Sequence, residues 1–248
     1  MNPLFLYACL FSALAVFVVG ALSKKHALQG HHMTRLALLL LLAIPALLFL
    51  PKIHCLPSQR SFFLLSETAN QTTPLWLSAL WITGVVICFV RLMLSLWQLH
   101  TWKRNSRIVE DAEIKRLLHE CSAQQQFHRP IELRVHDART SPIACGIVSP
   151  MIYLPKDWLE WSPITMRAVL LHEIGHHRSL DPLWRMLSLI CTSIHWYNPL
   201  VLWLSRQLRL QSEVACDASV IDSGFRQDQY AHILCDLASH SPYSAMAM

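Results

Sequence analysis

Three long apolar runs dominate the first hundred positions. Met1 to Ser23 carries no charged side chain, and roughly 20 such residues suffice to cross a hydrocarbon core of about 30 Å as a helix. Leu36 to Leu50 (LALLLLLAIPALLFL) is a second run, slightly short and carrying Pro45, which neighbouring helices must accommodate. Leu75 to Leu99 is the third, with Arg91 near one end, where a long side chain can snorkel towards head groups. The pattern predicts transmembrane helices over about 3–22, 35–51 and 75–99. A cleaved signal peptide is disfavoured for the first, because Lys24 and Lys25 follow the apolar core instead of preceding it.

Beyond residue 100 the period changes. Ile114, Leu117, Leu118 and Cys121 recur at helical spacing within 108–127, while Ile131, Leu133 and Val135 alternate as a half-buried strand does. Ile143 to Leu154 predicts two short strands around Ser149-Pro150. Ser162 and Pro163 supply an N-cap and a first-turn proline ahead of ITMRAVLLHEIGHHRS, a helix whose one internal breaker is Gly175. Met186 to Leu204 is long enough for a fourth span, yet His195, Asn198 and Pro199 interrupt it, and Asn-Pro disfavours a continuous helix. The expectation is a membrane-associated helical hairpin over about 184–206, with packing against the other spans without crossing as the alternative. The predicted fold is a mainly α membrane protein: a transmembrane region, 1–100, and a small α+β domain, 101–248, that includes the hairpin.

Composition agrees with that division. The chain is 53% hydrophobic and 15% charged, and of its 21 Lys and Arg and 16 Asp and Glu only seven lie in the first hundred positions. The net charge of +5 comes without a basic stripe interleaved with aromatics, so no nucleic-acid partner is expected. Topology accounts for the basic residues: Lys24, Lys25 and Arg35 mark the first loop, and Lys103, Arg104 and Arg107 crowd behind the third span. The positive-inside rule then puts the N-terminus outside, the residues after 100 on the cytoplasmic side, and His26, His31 and His32 at the head-group boundary. Eight scattered cysteines without C-x-x-C read as reduced and structural.

The chemistry lies in His172-Glu173-Ile174-Gly175-His176. Two His at i and i+4 share one helical face and can bind one Zn²⁺ at roughly 2.0 to 2.1 Å, while Glu173 reaches the attacking water as general base. A zinc hydrolase needs a third protein ligand and an open position. The metzincin extension is excluded, because Ser179 and Pro182 occupy its Gly and final His places. Glu213 can supply the third ligand, and Asp217, one turn on, can accept the distal N–H of a ligand His. His195 and Cys216 remain alternatives, expected to be a break-point hydrogen bonder and a packing residue. A fourth crossing would put Glu213 and His172 on opposite sides of the membrane, which favours the hairpin. His177, about 100° round the helix from His176, is expected on the surface. Tyr153, Tyr230 and His232 are all candidate oxyanion donors.

The ordered set Ser141-Pro-Ile-Ala-Cys-Gly146, Pro150-Met-Ile-Tyr-Leu-Pro155, Ala168-Val-Leu-Leu-His-Glu-Ile-Gly-His176 with Asp181, His195-Trp-Tyr-Asn-Pro199 and Glu213-Val-Ala-Cys-Asp217 resembles the BlaR/MecR-type integral membrane zinc peptidases, which transduce beta-lactam detection in some bacteria. The resemblance implies a gluzincin-like fold, a multi-pass protein of the bacterial inner membrane, His172, His176 and Glu213 as zinc ligands, Glu173 as base and a structural role for Asp181. Members that sense beta-lactams carry a further span and a penicillin-binding sensor. No S-x-x-K motif of such a sensor is found here, so direct antibiotic sensing is not expected.

The expected function is a membrane-bound zinc endopeptidase, with one Zn²⁺ per chain, acting in regulated proteolysis or signal transduction. Its expected partners are the bilayer, a protein substrate such as a cytoplasmic repressor or a membrane protein, and a separate sensor. Substrate could lie along the edge of the 143–147 strand, although a core strand explains the same residues. The rival from another class is a non-catalytic transducer or scaffold keeping the zinc fold. A metal transporter is less favoured, because no ionisable pair lies deep within the three spans.

Overall fold

A computed structural model describes residues 27–47, 75–137 and 141–239. The expected first span lies outside them, as do Cys9, Cys55 and His26. The elements are α1 (Ala27–Leu47), α2 (Leu75–Asn105), β1 (Arg107–Ile108), α3 (Ala112–Gln124), β2 (Glu132–Val135), β3 (Ile143–Cys145), β4 (Met151–Leu154), α4 (Pro163–Arg178), α5 (Asp181–Ile194), α6 (Pro199–Asp222) and α7 (Gln227–Ser239). The described residues are mostly helical with one small sheet.

Among the described residues, one helical stretch, Ala79–Asn105, is long and apolar enough to cross a membrane, and it belongs to α2. Leu80, Phe89 and Trp97 are among its many exposed apolar side chains, and Lys103 and Arg104 close its last turn. The second run falls in α1, where the apolar stretch His32–Leu42 is shorter. That helix covers Ala27–Leu47, so His31 and His32 are helical; no residue between Ala27 and Pro45 stops a helix except the tolerated Gly30.

The chain divides into two compact units, one of residues 1–93 and 188–207, the other of 94–187 and 208–248. The first unit gathers apolar helices and the tip of the hairpin. The chain breaks between Ile194 and Pro199: Asn198 Oδ1 accepts from the Leu200 N–H at 3.0 Å, an N-cap ahead of a first-turn proline. The arms touch through Ser188 and Ser205 Oγ, 2.6 Å apart. At the tip, His195 Nε2 donates to the Leu41 carbonyl at 3.2 Å and Trp196 Nε1 to the Trp81 carbonyl at 3.4 Å. The Trp196 ring occupies the place a Cβ at Gly84 would take. His195 is thus a hydrogen bonder at the break.

The second unit holds the sheet, in the order β1-β2-β4-β3. β2 and β4 run parallel with Leu133 opposite Ile152, and β3 pairs antiparallel with β4, Ala144 opposite Ile152. β3 is therefore an edge strand. Ser162 caps α4, its Oγ accepting from the Thr165 N–H at 3.1 Å. Leu170, Leu171 and Ile174 on α4 are fully buried in one core with Leu118, Leu133, Ile152, Leu154 and Val220, each such side chain contributing roughly 1.5 to 3 kcal/mol. Because α4 is enclosed on nearly every side, its polar residues are held rigidly. Gly175 lets α6 approach closely: a Cβ there would meet Cys216 Sγ and Ser219 Oγ, both at 3.2 Å. Beyond α4, Leu180 adopts a positive φ of 56°, unusual for a branched residue, and the turn brings Asp181 back beneath His176.

Candidate metal centre

The second unit brings His172, Glu173, His176, Glu213 and Asp217 together. His172 and His176 face the same way from α4, their rings 4.9 Å apart and nearly perpendicular. Glu213 arrives from α6: its Oε2 lies 3.4 Å from His172 Nε2 and 3.6 Å from His176 Nε2. Ligands at zinc's usual nitrogen and oxygen distances around a tetrahedral ion stand about 3.3 to 3.4 Å apart, so these three atoms suit such an ion. The arrangement around them orients each donor. Asp217 Oδ1 is 3.0 Å from His172 Nδ1 and Asp181 Oδ2 is 2.8 Å from His176 Nδ1. With each Nδ1 proton given to a carboxylate, both Nε2 atoms are free to donate electron pairs to a metal. Arg185 Nη2 holds Glu213 Oε1 at 2.9 Å, leaving Oε2 to the imidazoles.

Burial would lower the two imidazole pKa values, but the carboxylates outweigh it. Asp217 and Glu213 hold His172 up to about 9, and Asp181, with Cys216 and Glu213, pushes His176 up to about 12. The His172 and His176 rings in turn hold Glu213 far below the usual carboxylate range. Several carboxylates converging on two imidazoles make a field that favours a cation. Glu173 differs. Burial raises its pKa, the Ala144 N–H bonds its carboxylate, and its Oε2 is buried without a hydrogen-bond partner. A buried carboxylate oxygen left bare beside the donor cluster suits a base awaiting a water. His172, Glu173, His176 and Glu213 line a cavity of about 330 Å³ together with apolar residues that include Ile143, Val169, Ile233 and Leu237.

A second group, His176, Asp181 and Cys216, also clusters. Its atoms converge on His176 Nδ1, with Asp181 at 2.8 Å and Cys216 Sγ at 3.3 Å. The first separation is a direct hydrogen bond, too short for two ligands of one tetrahedral ion. Ser212 Oγ also donates to Asp181 Oδ2. This group is a bonded support behind His176, and Cys216 packs there on the Nδ1 side.

Other expectations meet different outcomes. His177 faces away from the donor cluster but is buried, bonding the Met151 carbonyl through Nε2 at 3.1 Å; away from the metal here means towards the sheet, and burial lowers its pKa to about 4. Tyr153 lies buried in β4 against Trp102, and neither it nor His232 lines the cavity. Tyr230 does, but its hydroxyl donates to Asp217 Oδ1 at 2.7 Å. Sequence reasoning missed Arg185 and Ser212 and gave Asp181 only a structural role. A carboxylate just past the end of a ligand-bearing helix, followed one turn later by Arg, was the available signal. The six cysteines among the described residues are free.

A family profile described as BlaR1 peptidase M56 matches residues 7–247. Among curated proteins, the chain is 34% identical over 143 residues to the regulatory protein BlaR1 of Bacillus licheniformis, covering 58% of this chain and 24% of that protein. It is 25% identical over 157 residues to the methicillin resistance mecR1 protein of Staphylococcus aureus, covering 62% of this chain and 26% of that one. A BlaR1 regulatory protein of Staphylococcus aureus is also 25% identical, over 170 residues, covering 67% of this chain and 29% of the relative. The matched part therefore spans about a quarter of the length of these relatives.

Proposed function

The chain belongs to the BlaR1 peptidase M56 family, and from that premise we propose that it is a membrane-bound zinc endopeptidase cleaving a protein substrate. The observation that carries the reading is the convergence of His172 Nε2, His176 Nε2 and Glu213 Oε2 beside a buried carboxylate with a bare oxygen. These three residues would hold one Zn²⁺, which supplies Lewis acidity to a water and to the scissile carbonyl when bound. Glu173 takes the water's proton and passes it to the leaving amine, a task suited to a carboxyl whose pKa burial raises. Asp217 and Asp181 fix the imidazole rings, and Arg185 fixes the Glu213 carboxylate. Substrate enters as an extended strand along the β3 edge, where Ile143 and Ala144 form part of the cavity wall.

The two BlaR1 relatives are named as regulatory proteins, which favours proteolysis coupled to a signal, with a cytoplasmic repressor or a membrane protein as substrate and a separate sensor as partner. Lys103, Arg104 and Arg107 favour a site on the cytoplasmic side of the bacterial inner membrane, in a chain with three spans. A scaffold without activity has no need of a buried base beside the donors. Comparing the proteins cut in cells carrying the wild-type chain and Glu173→Gln tests this. Fragments present with the wild type and absent with the variant are expected; identical patterns would defeat the enzyme reading.

A further inference from the structure

Peptide hydrolysis gathers negative charge on the carbonyl oxygen as water adds to the carbon, and a preorganised N–H donor facing that oxygen lowers the barrier. None of the three candidates named from the sequence is free to do this. Tyr153 and His232 do not line the cavity, and the Tyr230 proton is committed to Asp217. The backbone N–H of Ala144, also in the wall, is bonded to Glu173. Arg185 remains. Among the described residues it is the only Lys or Arg lining the cavity. Its Nη2 is anchored on Glu213 Oε1 at 2.9 Å, so the guanidinium stands one carboxylate away from the two imidazoles. Its Nε is buried without a hydrogen-bond partner, and its side chain is still partly exposed to the cleft. Guanidinium has more N–H groups than this one ion pair uses and stays charged at any working pH.

Resting on the peptidase reading above, we propose that Arg185 is a catalytic residue that donates a guanidinium N–H to the substrate's carbonyl oxygen as that oxygen becomes negative, while Nη2 keeps its hold on Glu213. The water oxygen bonds the carbonyl carbon, the C=O π pair moves onto oxygen, and Glu173 holds the released proton. The pair then returns as the C–N bond breaks, and the proton goes to the leaving nitrogen. Arg185 gives hydrogen bonds throughout and transfers nothing.

The test uses the 248-residue chain in detergent, zinc-loaded, with two peptide probes of the same side chains. One is a phosphinic peptide whose P–O⁻ mimics the oxyanion; the other is a mercaptoacyl peptide, which reaches the metal through sulfur and has no oxyanion. Arg185→Gln is expected to weaken the phosphinic probe by about 10²-fold, matching its loss of kcat/KM, the usual cost of one oxyanion donor. Read at zinc concentrations that saturate both proteins, mercaptoacyl affinity should fall by no more than about tenfold, the lower cost of losing the support behind Glu213, so that the two probes separate by about tenfold or more. Arg185→Lys, which keeps the charge, should recover part of the phosphinic affinity. Equal weakening of both probes, or a parallel loss of zinc, would show that Arg185 only holds Glu213 and would overturn the proposal. Unchanged phosphinic binding in Arg185→Gln would overturn it too. A wild-type chain that binds neither probe would instead defeat the peptidase reading, and the proposal with it.

Discussion

The two carboxylates behind the imidazoles are not equivalent, and Asp181→Asn should therefore cost more zinc affinity than Asp217→Asn. The His176–Asp181 bond is 2.8 Å long between side chains only 7% and 3% exposed. The His172–Asp217 bond is 3.0 Å long, between side chains 17% and 39% exposed. A hydrogen bond to a charged group contributes about 1.5 to 3 kcal/mol, and solvent exposure moves it to the low end. In Asp181→Asn the amide oxygen would stand where Oδ2 accepts from both the His176 N–H and the Ser212 hydroxyl, but without the charge that strengthens both buried bonds. Asn at 217 leaves Tyr230 OH within 3.2 Å of His172 Nδ1 as a substitute acceptor. Changes at positions behind metal ligands cost about 10- to 100-fold, and Asp181→Asn belongs at the upper end, Asp217→Asn at the lower. The difference is roughly 1.4 kcal/mol. Competition for zinc against a chelator of known affinity, with wild type and both variants in the same detergent, measures it directly. Equal losses, or a larger one at Asp217, would refute the claim that burial of the Nδ1 bond sets how firmly each His is held.

Three further outcomes follow from the packing and topology. Gly175→Val should lower zinc content although Gly175 binds nothing: its side chain would push on Cys216 and Ser219, displacing the helix that carries Glu213 at a cost of about 1 to 3 kcal/mol. Full zinc occupancy in that variant would mean that the α4–α6 approach is not tight. Leu180→Gly should be neutral or raise stability by up to about 1 kcal/mol, since glycine adopts a positive φ without strain; a thermal melt showing a marked loss would contradict this. Reporter fusions after His100 and after Ala238 should both read cytoplasmic, the first because of the basic residues behind α2 and the second because Glu213 must share a side with His172. A periplasmic signal after Ala238 would break the three-donor site.

Much of the local structure is legible in the sequence because its signals are local. Ser162-Pro163 opens α4, Asn198-Pro199 opens α6, and the Ser149-Pro150 pair separates β3 from β4. The spacing of His172 and His176 on one helix likewise brings their rings together without further information. What was misread depends on tertiary context. A helical wheel places His177 away from the metal, but whether that face meets water or a sheet depends on where the sheet packs. The approach of Asp181 to His176 needs the positive φ at Leu180, which no sequence rule assigns to leucine. Arg185 and Ser212 act on Glu213 and Asp181 across the hairpin arms, 28 and 31 positions away, and only the folded hairpin makes those pairs visible. That α1 already runs through His31 and His32 was hidden because charge and apolarity locate a membrane boundary and say little about where a helix lies.

The central claim is that Glu173 does chemistry while Glu213 holds the metal, and parallel assay of zinc content and peptide turnover in Glu173→Gln and Glu213→Ala separates the two. Glu173→Gln should keep zinc near the wild-type level while turnover falls by roughly 10²- to 10⁴-fold, the usual contribution of a positioned general base. Glu213→Ala should lose zinc and turnover together, since two imidazoles alone leave the ion under-coordinated. Wild-type turnover in Glu173→Gln, or full zinc and activity in Glu213→Ala, would contradict it.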